Sequence, residues 1–170
     1  MVGFTGSRHL AGAQSAIVGK VAKAIVAAGQ QVAVGCAAGA DLAVRSAVPS
    51  AQVFSVAAAS SRQAFALRSI QLVQAVAAST RPALIAFPTK PCALSLFPSA
   101  QSGKCFAGYG SGTWASVALA VGMGVPVFVV WCGASAPVLP AWGLWELLNS
   151  GTLSGAYRLA AVQPRQVSLF

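Results

Sequence analysis

The chain has 170 residues, enough for one domain with its own core, and 56% of them are hydrophobic. Lysine and arginine number 11 against 2 acids, a net charge of +9 at pH 7 that attracts polyanions. Four cysteines, Cys36, Cys92, Cys105 and Cys132, contain no C-x-x-C pair, and with His9 as the single histidine they argue against a zinc centre.

Val2 to Thr5 is short and apolar and ends in Gly6, which predicts a first strand running into a functional loop. No charged segment followed by an apolar one stands there, so a cytoplasmic protein with free thiols is expected, Cys92 and Cys105 being the one candidate pair. Gln14 to Ala28 has helical spacing, with Ile17, Val21, Ala24, Ile25 and Ala28 on one face and Gly29 closing it. Gln31 to Val34 predicts a second strand, Gly39 to Ala47 a short helix stopped at Pro49, and Ala51 to Val56 a third strand. Ser60 to Ala78 predicts a long helix, and Ala83 to Phe87 a fourth strand ended by Pro88. Residues 88 to 110 form a loop rich in Pro, Ser, Gly and Lys, long enough to suggest a functional role.

Gly112 to Met123 then predicts a helix and Val125 to Trp131 a fifth strand. The run from Ala115 to Cys132 is almost wholly apolar, but Gly122, Gly124 and Pro126 interrupt it. A helix ending at glycine and a strand starting after proline explain that better than a membrane span, so no membrane association is expected. Ala141 to Asn149 is expected as a last helix and Arg158 to Val162 as an edge strand. Strands alternating with helices predict an α/β fold: a Rossmann-like, doubly wound, mostly parallel sheet of five to six strands with helices on both faces. One domain is expected over 1–162, with a tail over 163–170.

Three turns, each expected to follow a strand directly, are built from small residues: Gly3 to Arg8, Gly35 to Asp41, and Gly108 to Thr113. Turns following strands lie at the carboxyl end of a parallel sheet, where ligands bind. Glycine lets the backbone approach a ligand, and the N–H groups opening the next helix bind an anion. The candidate ligand residues are Gly6, Ser7, Arg8, Gly35, Gly39, Asp41, Arg68, Gly110, Ser111, Gly112 and Thr113. Arg8 is placed to clamp a phosphate. Arg68 interrupts an apolar helix and either points into the same crevice or lies on a solvated face. Asp41 either complements a helix dipole or accepts a hydrogen bond from a ribose or base.

Gly6-Ser7-Arg8, Gly35 to Asp41, Gly110-Ser111-Gly112-Thr113 and Gly124-Val125-Pro126-Val127, in this order, resemble the SLOG superfamily over about residues 2–131. That superfamily includes the DNA-processing protein A family and the "lonely guy" phosphoribohydrolases. The resemblance implies a Rossmann-like sheet and a nucleotide or single-stranded nucleic acid as ligand. In the phosphoribohydrolases the glycine-threonine turn is followed by a catalytic glutamate. Here Trp114, Ala115, Ser116, Val117 and Ala118 follow it, so a non-enzymatic binding protein of DNA metabolism is expected, with no cofactor.

Gln166-Val167-Ser168-Leu169-Phe170 is similar to the peptide by which bacterial replication proteins dock on the β sliding clamp. In that role Leu169 and Phe170 fill an apolar pocket while Gln166 and Ser168 complete the motif. The alternatives are a nucleotide N-glycosidase using Asp41, and a self-assembling structural protein suggested by the charge-poor, Ala/Val/Gly-rich composition. A homo-oligomer is expected.

Overall fold

The computed structural model describes residues 1–10, 12–57, 61–108 and 111–162. Strands β1 (Val2–Gly6), β2 (Val32–Gly35), β3 (Gln52–Phe54), β4 (Ala83–Phe87) and β5 (Val127–Val129) are parallel. With β6 (Gly143–Leu147) and β7 (Tyr157–Val162) they form one seven-stranded sheet in the order β3-β2-β1-β4-β5-β7-β6. Strand β7 runs antiparallel to both neighbours. The fold is Rossmann-like, and its strand order reverses between β1 and β4, which pair from Val2↔Ala83 to Gly6↔Phe87.

The period of two along the strands divides the core. Val2, Phe4, Val32, Val34, Ile85 and Phe87 face one side, against Val18, Val21 and Ala22 of α1 (Ala13–Ala27) and Ala40 and Val44 of α2 (Ala40–Ala47). Ala33, Leu84, Ala86, Val127 and Val129 face the other, against Leu72, Val73 and Val76 of α3 (Arg62–Ala77) and Val117 and Leu119 of α5 (Gly112–Gly122). Both faces are covered, so the strands read as continuous apolar runs.

Helix α5 is buried at every residue from Thr113 to Val121. A helix apolar all round needs cover on its outer side, and the segment after β4 supplies it. Ser99 N–H donates to Ala118 O at 3.3 Å, and Trp114 Nε1 donates to Lys90 O at 2.8 Å. Leu96, Cys105 and Trp142 join the same core. The long loop therefore does much of its work as packing, and it contains a short helix, α4 (Ser102–Cys105). Among the described residues no helix is long and apolar enough to cross a membrane.

Two expectations are corrected, and the expected free thiols are found. The helix expected over Ala141–Asn149 is strand β6. Leu144, Leu147 and Leu148 have helical spacing, but pairing with β7 from Gly143↔Val162 to Leu147↔Tyr157 prevails, with a bulge between Leu144 and Trp145. Arg158–Val162 belongs to β7, which is not an edge strand, because β6 lies outside it. Cys92 and Cys105 are not joined, and all four cysteines are free. The Cys92 thiol instead approaches Ala93 O at 3.5 Å and the Cys105 thiol Ser99 O at 3.4 Å. Burial pushes the Cys92 thiol up to about 12 and raises Cys105 and Cys132 as well.

Candidate functional site

A cleft of about 930 Å³ opens at the carboxyl ends of β1 and β4, where the strand order reverses. That is within the range of small-ligand sites. Strand β1 and its loop supply Thr5, Gly6, Ser7, Arg8 and His9; the β2–α2 turn supplies Ala37 and Asp41. One face of α3 supplies Arg62, Phe65, Ala66, Arg68 and Ser69, at helical spacing. Thr89 and Lys90 follow β4, and Ser111, Gly112 and Thr113 open α5. Among the described residues, four arginine and lysine side chains thus line the cleft against one carboxylate, Asp41.

The three glycine turns behave differently. At the first, Ser7 N–H is held by Phe87 O at 3.0 Å, and Ser7 Oγ accepts from His9 N–H at 3.1 Å and from Thr89 Oγ1 at 3.2 Å. The Ser7 hydroxyl thus lies on the cleft, held between the β1 loop and the residue after β4. A methyl group on Gly6 would meet Ala40 Cβ at 2.5 Å and Phe87 Cβ at 3.0 Å, so this glycine serves close packing of β1 on α2.

The second turn is filled by the protein itself. The guanidinium of Arg68 occupies the space that a side chain on Gly35 would need. Its Nη1 donates to Asp41 Oδ2 at 2.8 Å, and the same oxygen accepts from Ala37 N–H at 3.2 Å. Arg68 comes from the layer of α3 and Asp41 from the layer of α2, so the ion pair ties the two layers together across the end of β2. Both side chains are buried, at 8% and 7% exposure, and among the described residues Arg68 Nε has no hydrogen-bond partner. Arg45 Nη1 closes the turn from the other side, donating to Gly35 O at 2.7 Å and Ala37 O at 3.1 Å. Gly39 has φ +67°, and Ala40 N–H at the start of α2 donates to Ser7 O at 3.0 Å. Gly35 and Gly39 therefore stand behind the cleft wall, and the first N–H of α2 is already bonded.

The third turn differs again at its described residues, Ser111 to Thr113. It follows α4, not a strand. The first intrahelical bond of α5 runs from Ala115 N–H to Ser111 O at 3.0 Å, which leaves the N–H groups of Gly112, Thr113 and Trp114 ahead of the ladder. The Ser111 side chain makes no capping bond, and a methyl on Gly112 would meet open space. Gly110 lies outside the described residues, as do Gln166, Ser168, Leu169 and Phe170 of the tail.

Arg8 is exposed, and its guanidinium lies 4.5 Å from the centroid of the Phe65 ring, a cation–π contact; that of Arg68 lies 5.8 Å from the same ring. The structure thus brings Gly6, Ser7, Arg8, Asp41, Arg68, Ser111, Gly112 and Thr113 to one cleft. Arg62, Phe65, Thr89 and Lys90 line it too, and sequence reasoning gave them no part in a ligand site. The only signal in the sequence was that Arg62, Phe65 and Arg68 share one helical face. No protein-family model matches the chain, and no curated protein or solved structure matches it.

Proposed function

We propose that the cleft binds the phosphate of a nucleotide, free or within single-stranded nucleic acid, and that the protein acts in DNA metabolism by binding, without cleaving its ligand. The observation that carries this reading is the open N-terminus of α5 facing a cleft lined by Arg8, Arg62, Arg68 and Lys90. N–H groups ahead of the helical ladder, the positive end of a helix dipole and excess cationic charge together favour an anion. The Ser7 hydroxyl lies on the same cleft. The resemblance to nucleotide-binding proteins of the SLOG superfamily and the net charge of +9 agree with it.

Binding without catalysis is favoured by the state of Asp41. Cleavage of an N-glycosidic bond calls for a carboxylate free to position water or steady a developing cation. One Asp41 oxygen already accepts from Arg68 and from Ala37 N–H. The other acid in the chain, Glu146, stands on β6, away from the cleft lining.

Arg8→Ala is expected to weaken binding of a thymidine oligonucleotide by about 1.5–3 kcal/mol, the value of a charge-assisted hydrogen bond to phosphate. Fluorescence anisotropy at several salt concentrations measures it. The wild-type affinity is expected to fall with salt by about 0.7 log units per log unit for each phosphate neutralised. An unchanged affinity in Arg8→Ala excludes Arg8 from the site, and a slope near zero excludes the phosphate reading.

A further inference from the structure

Of the two arginines on the α3 wall of the cleft, Arg68 is neutralised by Asp41 and Arg62 is not. Arg62, Phe65 and Arg68 follow at three-residue intervals on the face that lines the cleft. At a rise of 1.5 Å per residue, the outer and inner arginines sit about 9 Å apart along the helix, with the aromatic ring between them. The inner arginine is buried and bonded to Asp41, close to the sheet. The outer one is exposed at the rim and makes no hydrogen bond or ion pair among the described residues. Arg8 reaches the same ring from the β1 loop, its guanidinium 4.5 Å from the centroid.

Arg62 is also poorly placed for its own helix. It is the first residue of α3, where a positive charge opposes the helix dipole, and no acid stands in that turn to offset it. Its position therefore calls for a use outside the helix. An unpaired arginine on the same cleft, with Arg8 beside it on the Phe65 ring, suits a ligand that carries a second phosphate.

Resting on the nucleotide reading above, we infer that the cleft takes a nucleoside carrying phosphates on both its 5′ and 3′ oxygens. One phosphate lies at the N-terminus of α5, and the other at the rim, on Arg62 with Arg8. This unit occurs as a free bisphosphate and as any internal residue of a single strand.

The test is calorimetric titration at low salt with thymidine 5′-monophosphate, thymidine 3′,5′-bisphosphate and a 5′-phosphorylated thymidine tetranucleotide. Wild type and Arg62→Gln are compared, with melting curves to show that both are folded. The bisphosphate is expected to bind wild type at least about tenfold more tightly than the monophosphate, with that ratio falling to about two or less in Arg62→Gln. A tetranucleotide no tighter than the bisphosphate identifies a free ligand, and a further gain identifies a strand; the outer subsite stands in either case. Equal affinities of mono- and bisphosphate for wild type overturn it, as does a ratio that survives in Arg62→Gln. If none of the three binds, the nucleotide reading itself fails and the outer subsite falls with it.

Discussion

Asp41→Ala is expected to destabilise the protein by about 3–5 kcal/mol, because it strands a buried charge. The Arg68 side chain is 8% exposed, its Nη1 would lose the Asp41 carboxylate, and its Nε already lacks a partner among the described residues. The same substitution removes the acceptor for Ala37 N–H and cuts the tie between the two helical layers. At about 2–4 °C per kcal/mol for a chain of this size, the melting temperature is expected to fall by roughly 10 °C. The double variant Asp41→Asn with Arg68→Met is expected to recover much of the loss, since it removes the charges together. A thermal scan of the three proteins checks this. An Asp41→Ala protein that melts within about 2 °C of wild type would show that the pair is not buried as described.

The second large effect separates the two kinds of glycine. Gly39→Ala is expected to cost roughly 2–4 kcal/mol, from left-handed backbone strain together with overpacking. The residue has φ +67°, and an added methyl would run into Ser7 O and lie 2.6 Å from Arg8 C. These are backbone atoms of the β1 loop and cannot swing aside. Gly112 is the contrast, with open space around the position of a methyl. Gly112→Ala is expected to change stability by less than about 1 kcal/mol, and to weaken ligand binding because the methyl stands where the phosphate approaches. Urea melts of both variants and ligand titration of Gly112→Ala measure the two effects. A Gly39→Ala protein as stable as wild type would refute the packing of α2 on the β1 loop.

The sheet was legible because its central strands are buried on both faces. Val32–Gly35 and Ala83–Phe87 are apolar runs bounded by glycine or proline, and their neighbours have helical spacing. The end of the chain was not legible. The leucines of β6 repeat at helical intervals, and only the partner strand β7, ten residues further on, makes the segment extended. The cleft was legible in part. Arg68 stands out in an apolar helix, but its partner Asp41 lies 27 residues earlier in the opposite layer, and nothing local announces that pairing. Gly35 carries the same lesson, since its small size accommodates the Arg68 guanidinium, a neighbour visible only in three dimensions. Arg62 and Lys90 are exposed cations that a sequence cannot tell from solvated surface, and the sheet topology alone brings them to the cleft.

The central claim is that the cleft recognises phosphate at the open N-terminus of α5. Titration of thymidine against thymidine 5′-monophosphate tests it most directly, because the two ligands differ only in that group. The monophosphate is expected to bind about a hundredfold more tightly at low salt, corresponding to about 2.7 kcal/mol from charge-assisted bonds. Equal affinities, or binding of neither ligand, would contradict the claim.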